Sequence, residues 1–269
     1  MSTYAWMTDV HLNFIDDAQI SALVAEVQAS AADGLLLGGD IAEGPSIERY
    51  LRDLAAALSM PMPIYFVLGN HDYYKVSIRG VRAAVEHLCA EVDNLFWLPA
   101  AGAVELSPRT ALCGHGGWGD GRWGDFAGSS VVLNDYVLID DLAGIDNTER
   151  LARLGKLGDE VAAHIRAVLP AVAARYDHIV FLTHVPPFRE ACVYDGKISD
   201  DNWIPHFSCK AAGDALREVM ADHPACNLTV LCGHTHGGGR AQIQPNVRSR
   251  TGAADYGRPE IQEPLVTVV

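Results

Sequence analysis

The chain has 269 residues, of which 49% are hydrophobic and 20% are charged, a balance that excludes a disordered or fibrous protein. Acidic residues outnumber basic residues 34 to 20. The resulting net charge of −14 disfavours a long nucleic acid as partner, but a small anionic substrate can bind where local cations reverse the field.

The first part of the chain alternates short apolar runs with amphipathic stretches, the pattern of βαβ units in a largely parallel sheet. Apolar residues recur at helical spacing in the first amphipathic stretch, and Asp16 or Asp17 can cap its start. The predicted strands are residues 4–8, 35–38 and 64–68; the predicted helices are 17–32, one that starts near Pro45 and is stopped by Pro61 and Pro63, and 78–90.

Beyond residue 95 the pattern changes to short strands joined by proline and glycine turns, which predicts a second sheet. The predicted strands are 95–98, 103–106, 110–113, 179–183 and 228–232; the predicted helices are 148–174, with Pro170 as a candidate break, and 211–221. The tail, residues 240–269, is expected to form β-hairpins that end in an edge strand at 265–269.

The sequence shows no clear signal for membrane insertion or secretion and no cysteine pattern typical of disulfides. No apolar run approaches the ~18 residues of a membrane helix, so no membrane partner is expected. Residues 1–11 lack the features of a signal peptide. The six cysteines form no C-x-x-C pair, which favours reduced thiols and a cytoplasmic protein.

Polar residues follow five of the predicted strands. In open α/β sheets ligands bind beyond the carboxyl ends of the strands, so these side chains are expected to meet in one crevice. Any one of them alone is better explained as a turn or packing residue, but seven together favour a metal site. They are Asp9, His11, Asp40, Asn70, His184, His234 and His236, with His71 beside Asn70.

Imidazole and carboxylate ligands together suit manganese, iron, zinc or cobalt better than calcium or magnesium. Seven ligands are too many for one ion. They suit two ions that share a bridging carboxylate and leave positions open for water and substrate.

The order and flanks of these residues resemble the calcineurin-like metallophosphoesterase superfamily, whose blocks are D-x-H, G-D, G-N-H-D/E, H and G-H-x-H. All five blocks occur in order over most of the chain. They are Asp9-Val10-His11, Gly39-Asp40, Gly69-Asn70-His71-Asp72, His184 and Gly233-His234-Thr235-His236.

The resemblance implies an α/β fold, a four-layer αββα sandwich of two mixed β-sheets flanked by helices, formed by a single domain over residues 1–269. It implies two divalent or mixed-valence transition-metal ions with Asp40 as their bridge. One ion would be held by Asp9, His11, Asp40 and His236, and the other by Asp40, Asn70, His184 and His234.

The activity that the resemblance implies is hydrolysis of a phosphomonoester or phosphodiester in a small molecule, by attack of a metal-bridging hydroxide on phosphorus. His71 would face the phosphate and bind an oxygen or protonate the leaving alkoxide. Asp72 would orient a neighbouring histidine. Cyclic nucleotides, nucleotide sugars and other small phosphoesters all remain open.

Two segments are candidate specificity loops. Residues 114–128 are rich in glycine and contain His115 and Arg122, which could shape the substrate pocket. Residues 186–209 contain Arg189 and His206, which could touch substrate. The alternative in each case is an ordinary surface loop.

Two departures from the sequence blocks of known subfamilies disfavour a protein serine/threonine phosphatase and a purple acid phosphatase. Asp72 differs from the glutamate of the protein serine/threonine phosphatases, and Glu43 stands where purple acid phosphatases have tyrosine. Two other classes of function stay open: a catalytically silent protein-binding scaffold on the same fold, and a mononuclear metal-binding protein.

Overall fold

Two β-sheets face each other between two layers of helices in the computed structural model, which describes residues 2–58 and 62–268. This arrangement confirms the predicted four-layer αββα sandwich. The strands are β1 (Ser2–Met7), β2 (Gly34–Gly38), β3 (Ile64–Val67), β4 (Leu95–Trp97), β5 (Val104–Ser107), β6 (Thr110–Gly114), β7 (His178–Leu182), β8 (Val193–Tyr194), β9 (Lys197–Ile198), β10 (Asn227–Cys232), β11 (Gly239–Gln244), β12 (Val247–Thr251) and β13 (Val266–Val268). The helices are α1 (Asp17–Ala29), α2 (Ile47–Ala57), α3 (Ile78–Glu91), α4 (Leu98–Ala101), α5 (Asp135–Leu138), α6 (Asn147–Ala173), α7 (Ile204–Phe207) and α8 (Lys210–Ala221).

Both large sheets are mixed, with parallel strands in the middle. The first has the order β13-β1-β2-β3-β4, and only β13 runs antiparallel to its neighbour. The second has the order β11-β12-β10-β7-β6-β5, with antiparallel pairs at its two edges. The parallel strands direct their carboxyl ends to one edge of the sandwich, where ligands of such sheets bind.

Three apolar clusters hold the layers together. The inner faces of the two sheets meet through side chains such as Trp6, Leu36 and Val180. Helices α1, α2 and α3 cover the outer face of the first sheet, and α6 and α8 cover that of the second. Burial on both faces explains why the central strands are continuous apolar runs rather than alternating patterns.

Several predicted boundaries are refined by the structure. Asp16 caps α1 in a capping box with Gln19, and α2 begins at Ile47 after a 3-10 turn at Gly44–Ser46. The break at Pro170 does not occur, because this proline lies in the last turn of α6 and removes a single backbone donor there. Pro61 lies outside the described residues.

The tail forms one hairpin of β11 and β12 rather than several. The predicted edge strand is present as β13, but it pairs with β1 in the other sheet and so ties the end of the chain to its beginning. Val269 lies outside the described residues. Over the two described ranges, no helix combines the length and apolarity needed to cross a membrane.

Candidate metal centre

The loops after β1 and β2 run side by side and carry the first candidate ligands. The backbone N–H of Asp9 donates to Gly39 O at 3.0 Å, and that of His11 donates to Asp40 O at 2.9 Å. The backbone N–H of His71 donates to Oδ1 of Asp40 at 2.9 Å. From the last strand of the set, the N–H of His234 donates to both oxygens of Asp9 at 3.0 and 3.1 Å. Each loop is therefore tied to another.

Backbone strain is concentrated in these loops. Asp9, His11, Asp40, His234 and His236 all have positive φ, between 40° and 70°. A side chain in the left-handed region is uncommon, and such residues cluster at functional sites where the surrounding structure holds them. The strained positions therefore coincide with candidate ligands that come from three separate strand ends.

Asp40 lies at the middle of the candidate ligands, which together form a cluster. Its Oδ2 is 3.8 Å from Nε2 of His11 and 3.9 Å from Nε2 of His71, and its Oδ1 is 3.4 Å from Nε2 of His184. On the other side, Oδ1 of Asp9 is 3.4 Å from Nε2 of His236. Three overlapping triads have potential ligand atoms within 4.8 Å of one another: Asp9, His11 and His236; Asp9, Asp40 and His184; and His11, Asp40 and His71.

His184 and Asn70 present acceptor atoms to each other. The Nδ1–H of His184 donates to Gly38 O at 2.9 Å, so its Nε2 is a lone-pair acceptor. This Nε2 lies 3.0 Å from Oδ1 of Asn70, whose amide nitrogen donates instead to Oδ1 of Asp135 at 2.9 Å. Two lone-pair atoms at this distance, together with the nearby Oδ1 of Asp40, form a set of ligand atoms that can coordinate a cation.

His234 is oriented in a similar way, whereas His11 is not. Nε2 of His234 donates to His206 O at 3.3 Å, which leaves Nδ1 as its lone-pair atom, and the rings of His184 and His234 lie 5.0 Å apart. Both ring nitrogens of His11 are buried and have no hydrogen-bond partner among the described residues. Unsatisfied buried nitrogens are rare in proteins and fit a ligand role.

Glycines make room for this cluster. A Cβ at Gly69 would lie 2.2 Å from Oδ1 of Asp40 and 2.8 Å from Nε2 of His184. A Cβ at Gly233 would lie 2.2 Å from Oδ2 of Asp9. Only glycine allows the backbone to approach the carboxylates so closely. The residues present therefore fit metal binding at this cluster.

The pKa values of the candidate ligands also favour metal binding. Burial lowers the pKa of His11 and His234 to about 3, so both imidazoles are neutral near pH 7. Burial opposes ionisation of Asp9, but the neighbouring His184 and His236 hold its pKa below the ordinary value. Burial and the charge of Asp9 raise the pKa of Asp40 well above its ordinary value. Cations would relieve this repulsion between carboxylates.

An open pocket of about 380 Å³ lies over the cluster. Its floor includes Asp40, His71 and His236, and aromatic rings form much of its wall. The ring of Tyr74 stacks on His71 at 4.2 Å, and the exposed Tyr256 lies 4.9 Å from the ring of His236. The other lining residues are Asn70, Leu133, Asn134, Asp135, Tyr194, Phe207, His234 and Thr235.

Asp72 does not have the predicted contact with a histidine. Its two oxygens accept hydrogen bonds of 2.8 Å from the backbone N–H groups of Ile41, Ala42 and Gly69, and none of its hydrogen bonds in the described part of the chain involves a histidine side chain. Asp72 is fully buried and joins the Gly-Asp loop to the Gly-Asn-His loop. Its hydrogen bonds therefore hold the backbones of these two loops together.

Of the four predicted substrate contacts, none has its side chain in the pocket over the cluster. Arg122 points away to α6, where it pairs with Asp159 at 2.7 Å. Arg189 pairs with Asp201 at 2.5 Å. His115 is packed against His164 with ring centres 5.5 Å apart.

His206 is the nearest of the four to the centre, but it contributes its backbone oxygen to His234. Its ring bonds to Tyr136 Oη at 2.5 Å and to Ser129 Oγ at 2.9 Å. The segment 186–209 does reach the pocket, through Tyr194 and Phe207, whereas residues 114–128 supply no lining residue.

Sequence reasoning missed Asp135, Tyr74 and Tyr256. Asp135 is buried on the short helix α5 and accepts hydrogen bonds from Asn70 and from Tyr74 Oη at 2.8 Å. The segment before α6 has no motif that marks it, so nothing in the sequence points to this carboxylate. A tyrosine three residues after His71 is a signal that could have drawn attention to Tyr74.

Solved structures share this fold. Phosphopantetheinyl hydrolase from Mycobacterium tuberculosis aligns with a TM-score of 0.64 and 16% identity over 98% of this chain and 96% of its own. A dimetal phosphatase from Danio rerio aligns with a TM-score of 0.56 and 13% identity over 94% of this chain and 87% of its own. At these identities the likeness concerns the fold.

Curated protein sequences provide no match to the chain. The family model for calcineurin-like phosphoesterases, in contrast, matches residues 3–238 and so spans all five sequence blocks. The chain therefore belongs to the calcineurin-like phosphoesterase family.

Proposed function

We propose that this phosphoesterase hydrolyses a phosphoester bond of a small molecule at a dinuclear metal centre. In the proposal Asp9, His11 and His236 would hold one ion, and Asn70, His184 and His234 would hold the other. Asp40 would provide a ligand to both. The observation that carries the proposal is the position of Asp40, whose two oxygens face His184 on one side and His11 on the other.

When bound, the two ions supply Lewis acidity to the phosphoryl oxygens and lower the pKa of the attacking water. The donor set of imidazoles, carboxylates and one amide suits manganese, iron, zinc or cobalt. The chain's own contribution is to hold these donors in place through the loop-to-loop hydrogen bonds, so little reorganisation is needed when the ions bind.

His71 is the candidate catalytic residue beside the ions. It lines the pocket, its buried Nδ1 has no partner among the described residues, and its ring is held by stacking on Tyr74. This geometry supports a role in which the imidazole binds a phosphoryl oxygen or donates a proton to the leaving alkoxide. His71 also belongs to a triad with His11 and Asp40, so it remains close to the metal positions.

The aromatic wall supports a substrate whose phosphate is attached to an organic group rather than free phosphate. Tyr194, Phe207 and Tyr256 would contact that group while the phosphate lies over Asp40 and His71. We further propose that residues 1–269 act as one domain in the cytoplasm. All six cysteines, each within the described residues, are unpaired, which fits a reducing compartment.

The substrate class is tested by assaying the Mn-loaded protein against phosphomonoesters, phosphodiesters and pyrophosphates. We expect hydrolysis of small esters that chelation abolishes and Mn²⁺ restores. Metal analysis tests the centre itself. Wild type should bind two ions per chain and Asp40→Ala should lose affinity for both, whereas the control Asp93→Asn, at an exposed turn, should match wild type.

Three results would count against the proposal. A fully active preparation with one ion per chain would favour a mononuclear site. Asp40→Ala with both ions and full activity would remove the bridge. A loaded protein with no activity on any ester would favour the silent scaffold.

A further inference from the structure

A second cleft, of about 470 Å³, lies at an open side of the sandwich where the hairpin of β11 and β12 meets the segment leading into β13. In the described part of the chain it shares no lining residue with the pocket over the metal centre. Val180, Leu231 and Val266, from the apolar layer between the sheets, contribute to its lining. The cleft therefore has an apolar floor.

Three arginines line the same cleft. Arg240 and Arg250 are directly opposite each other on the antiparallel strands β11 and β12, and Arg248 lies two residues from Arg250, on the same face of β12. Like charges opposite each other in a sheet are destabilising. None of the three forms an ion pair with any described residue, and in a chain with 34 acidic and only 20 basic residues this grouping is unexpected.

The arginines are held in place by neutral groups. Arg250 donates from Nη1 to Pro264 O at 2.7 Å, and its guanidinium lies 4.9 Å from the ring centre of Trp6. Arg248 donates from Nε to Thr229 Oγ1 at 2.9 Å. These bonds use one N–H group of each guanidinium, and the other donors remain available to a ligand.

The local electrostatics of the cleft favour an anion. Burial and the charge of Arg240 lower the pKa of Arg250, and the nearby carboxylate of Glu263 offsets only part of this effect. His178, which also lines the cleft, has its pKa lowered to about 4 by burial and by Arg248, so it is neutral near pH 7. A bound anion would relieve the repulsion among the arginines.

We propose that this cleft binds a small molecule that carries a phosphate group, with Arg240, Arg248 and Arg250 on the phosphate oxygens and the organic part over the apolar floor. Guanidinium groups match the several oxygens of a phosphate with paired N–H donors. The volume of the cleft suits a small molecule, and the net charge of −14 disfavours a long polyanion. The site is independent of the metal centre.

The test is calorimetric titration of the metal-loaded protein with phenylphosphonate, whose carbon–phosphorus bond the enzyme cannot hydrolyse as an ester. The metal centre can also bind this probe, so the comparison is between variants. Arg240→Gln and Arg248→Gln are used singly and together, because both residues are exposed and Arg250 packs on Trp6. Thermal unfolding checks that each variant folds.

We expect wild type to bind one more equivalent of phenylphosphonate per chain than the double variant, and each single variant to weaken that equivalent about tenfold or more. Arg49→Gln, an exposed arginine on α2 with the same change of charge, should match wild type. Phthalate, an aromatic dicarboxylate, should bind at least about tenfold more weakly than the phosphonate.

Three outcomes would overturn the proposal. The first is equal stoichiometry and affinity in wild type and the double variant. The second is an equal loss in Arg49→Gln, which would make the effect one of bulk charge. The third is phthalate binding as tight as phenylphosphonate, which would remove the phosphate as the recognised group.

Discussion

Asn70 donates a 2.9 Å hydrogen bond from its amide nitrogen to Oδ1 of Asp135, and this bond turns its Oδ1 toward His184. An amide without such a partner can rotate and present its nitrogen instead, which cannot bind a cation. We therefore infer that Asp135 positions Asn70 as a candidate metal ligand.

Removing this partner should weaken one metal position. We expect Asp135→Ala to reduce metal affinity about 10- to 100-fold, the usual effect of losing a group that orients a ligand, and Asp135→Asn to keep more of it because an acceptor remains. Metal titration measures this. Asp140→Ala, at a nearby exposed position, is the control, and unchanged affinity in Asp135→Ala would contradict the positioning role.

His71 should matter most where the leaving group is poor. If its imidazole donates a proton to the alkoxide, His71→Ala should reduce kcat about 10²- to 10⁴-fold for alkyl esters and much less for nitrophenyl esters, with both ions still bound. The measurement is kcat for a series of esters of differing leaving-group pKa, together with metal content. Equal losses across the series would argue against proton donation.

Tyr256 should affect substrate binding more than chemistry. Its exposed ring lies 4.5 Å from His11 and 4.9 Å from His236, at the mouth of the pocket. We expect Tyr256→Ala to raise KM several-fold, as the loss of one aromatic contact of about 1 kcal/mol implies, with kcat and metal content little changed. Tyr256→Phe, which keeps the ring, serves as the control. A selective fall in kcat would instead place the ring in the chemistry.

Stability should fall in acid partly because of His115. Burial, with the charges of His164 and Arg82, lowers its pKa to about 3 from the usual 6.5. The unfolded chain therefore binds more protons than the folded protein between these values, and stability is lost as the pH falls from about 6.5 toward 3. The slope from one such group is up to about 1.4 kcal/mol per pH unit.

The measurement is the free energy of unfolding of wild type and His115→Gln from pH 7 to pH 4, at fixed metal content. The variant should show the shallower slope. His87→Gln is the matched control, because His87 is 74% exposed on α3. Identical slopes for His115→Gln and wild type would show that His115 does not carry this linkage.

A methyl group at Gly69 should disrupt the centre. The added Cβ would lie 2.2 Å from Oδ1 of Asp40, so we expect Gly69→Ala to lose metal and activity together. Gly155→Ala is the contrasting change, because its Cβ would meet nothing closer than 3.7 Å within α6. It should raise stability by about 0.5–1 kcal/mol without loss of metal, as helix propensity predicts. Thermal unfolding and metal analysis together distinguish the two.

The strand pattern and the positions of the candidate ligands could be predicted from local sequence, whereas the four-layer sandwich was implied by the resemblance to the calcineurin-like superfamily. Each candidate ligand follows an apolar strand within a few residues, so the strand pattern locates it. Contacts between distant parts of the chain could not be predicted in this way. Asp135 is 65 positions from Asn70, and Asp159, which pairs with Arg122, is 37 positions from that arginine. The residues that flank a charged side chain in the sequence do not indicate which residue it contacts in the folded protein.

At several candidate ligands the left-handed backbone conformation lowers the stability of the fold, whereas the side chain at the same position is the one proposed to bind metal. A non-glycine residue in this conformation costs about 1–2 kcal/mol, which glycine avoids. At His11, His234 and His236, where φ is 40°, 70° and 57°, glycine would relieve the backbone and delete a donor at the same time. Variants selected only for thermal stability of the metal-free chain should therefore tend to lose these histidines. Selection for stability would have to be carried out with metal present, so that the free energy of metal binding offsets the cost of the strained backbone.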